Sequence, residues 1–228
     1  MNTEPMWPVP RLWPGETVVC IGGGPSLTQA DVEYCRDRAR VIAVNDAYKL
    51  APWADVFYFC DLMWFHWHKE AFTKLGGLKV TLENNQLHGH GLKCIRNRGQ
   101  TGLWLDPPDG VATGCNSGYQ VINLAVLFGA RRILLLGYDM KADASGKTHW
   151  FGDHAQRPSN AENYARYMLP HFPKLHEECL KAGVNVINCT RETAIECFPR
   201  STVEGELCAP PSFSAKPQII AASTSPPA

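Results

Sequence analysis

Short apolar runs recur along this chain and constrain its fold more than any other feature of the sequence. They are TVVCI (17–21), RVIAV (40–44), ADVFYFC (54–60), LKVTLE (78–83), RRILLLG (131–137) and VNVINCT (184–190). Each run has the length of a β-strand, and most are separated by segments long enough for a helix. RRILLLG has an unbroken apolar stretch, which is typical of a parallel strand covered on both faces. The alternation predicts an α/β fold, with a doubly wound, mostly parallel sheet and flanking helices.

Composition divides the chain into three parts. Residues 1–15 are rich in Pro and Trp and predict an N-terminal arm, whereas residues 199–228 shift to Pro, Ser and Ala and predict a disordered tail. Residues 16–198 predict a single Rossmann-like domain, in which the Gly-, Asn- and Pro-containing stretch 84–114 is expected to be an irregular excursion. Helices are predicted over 26–37, 62–75 and 116–130, and over 161–183 with interruptions at Pro170 and Pro173.

Charge and cysteine content exclude several classes of protein. Lys and Arg total 22, and Asp and Glu also total 22, so a broad basic surface for nucleic acid or anionic lipid is not expected. The nine cysteines include no CxxC pair and predict reduced thiols in the cytoplasm. The first residues contain no apolar signal sequence, and no apolar run approaches the roughly 20 residues of a membrane span.

Residues at the carboxyl ends of the predicted strands form the candidate site. In a doubly wound sheet, ligands bind beyond these ends, near the point where the strand order reverses. The residues there, with those that open the helix at 116, are Gly22, Gly23, Gly24, Pro25, Ser26, Asn45, Asp46, Asp61, Asn116, Ser117, Gly118, Tyr138, Asp139 and Lys141. We expect them to converge on one edge of the sheet.

Several of these residues have a structural interpretation beside the functional one. The turn GGGPSL matches neither G-x-G-x-x-G nor a P-loop, so it either offers N–H groups to a phosphate or is a plain tight turn. Asn45 suits a nucleotide base or ribose, or an Asx-turn. Asn116 and Ser117 suit helix capping, or contact with a ligand at the helix N-terminus.

Two histidines, His149 and His154, lie in the long polar loop after RRILLLG. Loops of that length are usually functional or disordered. Histidine is an effective general base near neutral pH, and the alternative is a pair of surface side chains. His88, His90 and Cys94 lack the further ligands of a zinc site, so no metal site is predicted.

The motifs GGGPSL, Asn45, NSGYQVINLAVLFGARRILLLGYDM and GKTHWFGDH occur in an order that resembles a known family. They resemble the Campylobacter-type sialyltransferases of glycosyltransferase family 42 and the related motility accessory factors, and a pterin pyrophosphokinase shares that fold. The resemblance covers residues 17–198. Segments such as IGGGPSL, AVNDAY and APWADV also resemble proteins encoded by phages and prophages.

The resemblance implies how residues 16–198 would bind a nucleotide sugar. The glycine turn and Asn45 match the nucleotide-binding positions, and Ser117 and Gly118 match residues that approach the sugar nucleotide. His154 matches the catalytic base, with His149 in the motif before it. Gly23 stands where the family has Asn, Gly114 where the sialyltransferases have Arg, and Lys141 where one phosphate-binding Tyr would be. Lys141 is therefore expected to neutralise the leaving phosphate.

These observations predict a metal-independent glycosyltransferase of a bacterial cytoplasm. Its substrate would be a nucleotide sugar, with a CMP-linked sugar as one candidate, and no separate cofactor is expected. The acceptor hydroxyl is left open between a glycan, a protein and a modified base, and a homo-oligomer is also left open. The alternatives are a pyrophosphokinase-like phosphotransferase, which would need magnesium, and a non-catalytic phage accessory protein that binds nucleotides.

Overall fold

Eight strands form one sheet in the computed structural model, which describes residues 6–87, 90–152 and 160–208. Every pairing between neighbours is parallel, and the strand order is β6-β5-β4-β3-β2-β1-β7-β8. The strands are β1 Thr17–Ile21, β2 Arg40–Val44, β3 Val56–Phe59, β4 Leu78–Leu82, β5 Lys93–Gly99, β6 Gly110–Ala112, β7 Arg132–Leu136 and β8 Asn185–Asn188. The six strands predicted from apolar runs are all present.

Helices cover both faces of the sheet. They are α1 Gln29–Tyr34, α2 Leu62–Thr73, α3 Ser117–Leu127, α4 Phe172–Lys181 and α5 Val203–Glu206. Helices α3 and α4 pack on one face, and α1, α2 and α5 contribute to the core on the other. The predicted doubly wound α/β fold is therefore confirmed. None of the helices in the described ranges has the length and apolar character that crossing a membrane would require.

Alternation along the central strands explains their unbroken apolar runs. In β1, Val18 and Cys20 point into the α3/α4 core, whereas Val19 and Ile21 point into the other core. All four side chains are fully buried. A strand covered on both faces needs apolar residues at every position, because neither face meets water.

The region before α4 breaks where the sequence places its prolines. A π-helical turn, Tyr164–Met168, is followed by the 3₁₀ turn Leu169–His171, which contains Pro170. Pro173 lies in the first turn of α4, where its missing N–H costs no helical hydrogen bond. The predicted interruptions are confirmed.

The prediction of an irregular excursion over residues 84–114 is partly wrong, because this stretch adds β5 and β6 to the sheet. Strand β5 was not predicted because Lys93, Arg96 and Asn97 are exposed and interrupt its apolar pattern. Strand β6 has only three residues and begins at Gly110. Both strands lie toward one edge of the sheet, where solvent reaches part of β5 although the residues of β6 are buried.

Two polar side chains of α3 hold the loop between β5 and β6 in place. The Asn123 Oδ1 accepts hydrogen bonds from the backbone N–H groups of Trp104 (2.8 Å) and Ala112 (3.1 Å), and its Nδ2 donates to the carbonyl of Trp104 (2.7 Å). The Tyr119 hydroxyl accepts from the N–H of Gly102 and donates to its carbonyl. These bonds replace the regular ladder that the loop lacks.

Both ends of the described chain pack on the domain. Trp13 is buried against Phe128, with 4.6 Å between the ring centroids, although residues 6–15 contain no helix or strand. At the other end, Val203 and Leu207 are buried, and Arg132 pairs with Glu206 at 3.2 Å. The packed chain therefore extends past the boundary predicted at residue 199. Residues 209–228 lie outside the described part of the chain.

A truncation series tests the packing of residues 200–208. A stop codon after Pro199 should lower the melting temperature by at least about 6 °C, because the buried side chains of Val203 and Leu207 are lost. A stop after Cys208 is the matched control and should shift it by no more than about 2 °C, because the remaining sequence predicts disorder. Calorimetry on the two proteins measures both values. Equal melting temperatures would contradict a stabilising role for residues 200–208.

Candidate functional site

A cleft of about 380 Å³ opens at the carboxyl ends of the central strands. Strand β1 has β2 on one side and β7 on the other, so the direction of the strand order reverses there. Residues that follow β1, β2, β3 and β7 line this cleft together with the start of α3. The volume falls within the range of small-molecule sites, and the location is where doubly wound sheets bind ligands.

The ends of β1 and β7 touch, and this contact explains two of the three consecutive glycines. The N–H of Gly24 donates to the carbonyl of Gly137 at 2.8 Å. A Cβ on Gly22 would lie 2.6 Å from that same carbonyl oxygen, and one on Gly24 would lie 1.8 Å from Oδ1 of Asp139. Gly22 and Gly24 are therefore explained by close packing, which leaves no room for a Cβ at either position. A Cβ on Gly23 would meet only Cδ2 of His149, at 3.3 Å, on the cleft side.

The backbone donors of the glycine turn are mostly engaged by the protein itself. The N–H of Gly22 donates to the carbonyl of Leu136, and the N–H of Leu27 donates to the carbonyl of Gly24. The N–H of Ser26 donates to Oδ2 of Asp139 at 3.0 Å. Pro25 has no N–H. Within the described residues, only the N–H of Gly23 has no acceptor, so the turn leaves a single backbone donor unused rather than a row of them.

Asp139 fixes the glycine turn and does so from outside the cleft lining. Its side chain is buried, and its Oδ1 has no hydrogen-bond partner among the described residues. Burial raises the pKa of this carboxyl above its usual value, against the opposing effect of the hydrogen bond from Ser26. Asp139 thus fixes the backbone at Ser26 and does not line the cleft.

The N-terminus of α3 offers the free backbone donors that the glycine turn lacks. Asn116 caps the helix by accepting a hydrogen bond from the N–H of Tyr119 at 2.8 Å. The N–H groups of Ser117 and Gly118 have no acceptor within the described residues, and both residues line the cleft. A helix N-terminus with free N–H groups favours an anion.

Backbone strain is concentrated around the cleft. Asn45, Cys115 and Met140 have φ angles of 49°, 59° and 51°, in the left-handed region that non-glycine residues rarely adopt. All three line the cleft, and Asp37 is the only other such residue that the described ranges contain. The Oδ1 of Asn45 is also buried without a hydrogen-bond partner in the described structure. Strain of this kind is typical of functional sites.

Asp46 organises one wall of the cleft. Its carboxylate accepts hydrogen bonds from Lys49 Nζ at 2.5 Å and Trp64 Nε1 at 2.8 Å, and His68 Nε2 lies 3.7 Å away. Burial alone would raise the pKa of Asp46, but the bonds from Lys49 and Trp64 outweigh burial and lower it. The carboxylate therefore stays charged and fixes the indole of Trp64.

Aromatic side chains form much of the remaining surface. His149 stacks on Phe151 with 5.0 Å between ring centroids, and its Nδ1 lies 3.0 Å from Oγ1 of Thr148. Trp67 and Tyr164 line the cleft as well and are partly exposed. Rings in such a position can stack on a planar group of a ligand.

Most of the predicted site residues converge on this cleft. Those that line it are Gly22, Gly23, Gly24, Asn45, Asp46, Asp61, Asn116, Ser117, Gly118, Tyr138 and His149. Pro25, Ser26 and Asp139 lie behind it, and Lys141 pairs with Glu192 at 3.2 Å without lining it. His154 lies outside the described residues. Asp61 mainly caps α2, by accepting from the N–H of Met63 at 2.8 Å.

Several lining residues were not predicted. Trp64 and Trp67 come from α2, Phe151 and Tyr164 from the segments around the long loop, and Cys115 from the turn before α3. The spacing of Trp64 and Trp67, about one helical turn apart in the helix that Asp61 caps, is a signal that could have indicated a shared face. Among the described residues, no three His, Cys, Asp or Glu side chains lie close enough to hold a metal ion.

Alanine substitutions in the turn separate packing from ligand contact. Gly22→Ala should lower the free energy of unfolding by about 2 kcal/mol, because its Cβ would overlap a backbone carbonyl. Gly23→Ala should cost less than about 1 kcal/mol, because its Cβ points toward the cleft. Urea denaturation measures both values. Equal losses would show that the three glycines share one structural role.

Asp139→Asn tests the raised pKa of this carboxyl. A raised folded-state pKa contributes stability that is present below the unfolded value of about 3.9 and is lost as the pH rises through the folded value. The free energy of unfolding of the wild type, relative to the variant, should therefore be larger near pH 4 than near pH 7. Denaturation curves at both pH values check this, and a difference that does not change with pH would contradict it.

Comparisons with known proteins found similarity in structure but none in sequence. No family model matches the sequence, and no curated protein sequence matches it. The structure is similar to that of the sialyltransferase CstII from Campylobacter jejuni, which was solved in complex with a substrate analogue, cytidine-5'-monophosphate. The two chains share 14% sequence identity with a TM-score of 0.45, over 81% of this chain and 84% of CstII. At this level the similarity assigns no function, so the function is argued from the cleft.

Proposed function

We propose that the protein is a glycosyltransferase that moves a sugar from a nucleotide-sugar donor to an acceptor hydroxyl. The observation that carries the proposal is the combination of groups in one cleft at the strand-order reversal. Free N–H groups at Ser117 and Gly118, aromatic rings and His149 line the same space. Transfer from a nucleotide sugar needs hydrogen-bond donors for the phosphate, a surface on which the planar nucleobase can stack, and a side chain that takes the proton of the acceptor hydroxyl.

The N-terminus of α3 is the best-supported phosphate position. Its two unpaired N–H groups are aligned with the helix dipole, which attracts negative charge. Lys141 was expected to fill this role, but its ammonium group pairs with Glu192 away from the cleft. In the proposal, the departing phosphate is therefore stabilised by the helix terminus, and Gly23 lines the same space.

The nucleoside would lie along Asn45 and the aromatic wall. The strained backbone of Asn45 presents its carboxamide at the end of β2, and an amide both donates and accepts hydrogen bonds. Trp67 and Phe151 provide faces on which a base can stack. This arrangement leaves the sugar between the start of α3 and His149.

The chemical step requires one proton acceptor near the sugar. The acceptor oxygen attacks the anomeric carbon, the bond from that carbon to the phosphate oxygen breaks, and the acceptor proton passes to a histidine. We assign that base to His154, which follows the cleft-lining loop in the sequence. His149, stacked on Phe151 and held against Thr148, would position the reacting groups.

The first test of this proposal measures ligand binding rather than turnover. A thermal-shift panel of nucleoside monophosphates, diphosphates and nucleotide sugars should contain at least one ligand that stabilises the protein, by about 2.7 kcal/mol at 100 times its dissociation constant. Gly23→Asp should weaken that ligand, because it places a charge in the cleft. A panel without any stabilising compound would contradict the proposal.

The alternatives differ in what they require. A pyrophosphokinase-like transfer would need magnesium, so activity that EDTA abolishes and magnesium restores would replace the present proposal. A binding module would bind a nucleotide without turnover. No specific contact in the cleft favours either alternative over the glycosyltransferase.

His154→Ala should abolish transfer while leaving nucleotide affinity within about three-fold, because loss of a general base costs about 10²- to 10⁴-fold in rate. Lys141→Ala is the matched control and should keep the wild-type rate, because its ammonium group pairs with Glu192. His149→Ala is compared with both by the same product assay and by calorimetry with the nucleotide. If only His149→Ala stops turnover, the base is assigned to the wrong histidine. If His154→Ala and His149→Ala both keep the wild-type rate, histidine general-base catalysis is excluded.

A further inference from the structure

A cysteine and a histidine meet at the rim of the cleft, in a cluster that the proposed transfer does not use. Cys115 lies in the turn before α3 and lines the cleft, and His171 lies just before α4. The Sγ of Cys115 is 3.9 Å from Nε2 of His171. Gln100 and Thr101, which follow β5, complete the cluster. Three separate elements thus bring a thiol and an imidazole together.

Polar groups lie against both ring nitrogens of His171. The Nε2 faces the amide nitrogen of Gln100 at 3.4 Å and the thiol of Cys115 at 3.9 Å. The Nδ1 lies 2.5 Å from Oγ1 of Thr101, on the other side of the ring. These contacts place Nε2, rather than Nδ1, beside the thiol.

Two further features distinguish the surroundings of the Cys115 sulfur. The Nε2 of Gln100 donates a hydrogen bond to the sulfur at 3.2 Å. The residue also stands directly before the N-cap of α3, whose dipole attracts negative charge. Cys115 is exposed and adopts a φ of 59°. A solvent-accessible thiol with an imidazole partner at a helix N-terminus is the usual environment of a reactive cysteine.

The other thiols provide a comparison within the same chain. Cys20, Cys35, Cys94, Cys179 and Cys189 are buried, and Cys60 and Cys197 are half-buried. Burial raises the pKa of Cys197 to about 11. Cys208 is the second exposed cysteine, and its thiol contacts only the carbonyl of Gly205 among the described residues. It therefore shares the exposure of Cys115 but not the imidazole.

We propose that Cys115 is a modification site for low-molecular-weight disulfides and that His171 acts as its base. The thiol proton passes to Nε2 of His171, and the sulfur attacks one sulfur of the disulfide. A new S–S bond to Cys115 forms as the old S–S bond breaks, and the second sulfur leaves as a thiolate. The protein sulfur is oxidised, the departing sulfur is reduced, and a dithiol reverses the exchange.

The adduct would control access to the cleft. Because Cys115 lines it beside Asn116, Ser117 and Gly118, a group attached to its sulfur occupies space at the start of α3. This consequence rests on the proposed function, since it assumes that a nucleotide binds there. The reactivity of the thiol does not depend on that assumption, so the two fail separately.

The test measures exchange with 5,5'-dithiobis(2-nitrobenzoate) on the folded, full-length chain near pH 6.5. The fast site is identified in the wild type by mass mapping of the labelled peptide. Cys115 should react about ten-fold faster than Cys208. Cys115→Ser should remove the fast phase, and the matched variant Cys208→Ser should keep it. A rate at Cys115 no greater than at Cys208 would overturn the proposal.

A separate variant tests whether His171 acts as the base for Cys115. His171→Ala should slow labelling of Cys115 by about ten-fold, and added imidazole should restore part of that rate without an equal effect on Cys208. A variant that labels at the wild-type rate would overturn the assignment of the base. Slowing without rescue by imidazole would overturn it too, because it would indicate a structural role.

Protection experiments distinguish the two proposals. A nucleotide that stabilises the protein should slow labelling of Cys115, and the labelled protein should lose affinity for it until dithiothreitol is added. Fast labelling that no nucleotide slows would support the thiol site and count against the proposed function. Slow labelling with intact nucleotide binding would do the reverse.

Discussion

The contact between the ends of β1 and β7 is the constraint on which the rest of the site depends. The carbonyl of Gly137 accepts from Gly24 at 2.8 Å and would lie 2.6 Å from a Cβ on Gly22. Because the chain leaves these two strands in opposite directions across the sheet, their ends separate above this contact and open the cleft. The glycines are needed so that the backbones can touch. The space for a ligand is a consequence of that packing.

Helix α3 connects this contact to the far edge of the sheet. It carries the chain from β6 at one edge back to β7 beside β1, as the strand order requires. Its buried polar residues serve different neighbours, with Asn123 holding the β5–β6 loop and Gln120 accepting from the Tyr58 hydroxyl at 2.8 Å. The same helix presents free N–H groups at Ser117 and Gly118 to the cleft. A substitution that moves α3 would therefore disturb the sheet edge and the site together.

The sequence predicts the elements that are buried on both faces better than the elements that reach the surface. Strands such as β1 and β7 are apolar after their first residue because both faces are covered, so their limits could be predicted almost to the residue. Strand β5 carries exposed polar side chains at Lys93, Arg96 and Asn97, and the sequence did not predict it. Strand-end residues could be placed on one edge because parallel topology requires it. The spacing of Trp64 and Trp67 indicates that the two side chains share a face of α2. Where that face lies relative to Tyr164 depends on how helices and loops fold over the edge, which no local pattern encodes.

The polarity of the cleft comes from dipoles more than from charged side chains. Within the described residues, the lining includes no lysine or arginine, and its two carboxylates are engaged by Lys49 and Trp64 or by the N-terminus of α2. Backbone N–H groups at a helix end carry partial positive charge without the desolvation that a buried ammonium would suffer. They are also fixed in position before a ligand arrives, so little ordering accompanies binding. The helix end that would hold a phosphate at Ser117 begins two residues after Cys115, and both residues line the cleft, so the two proposals concern the same wall.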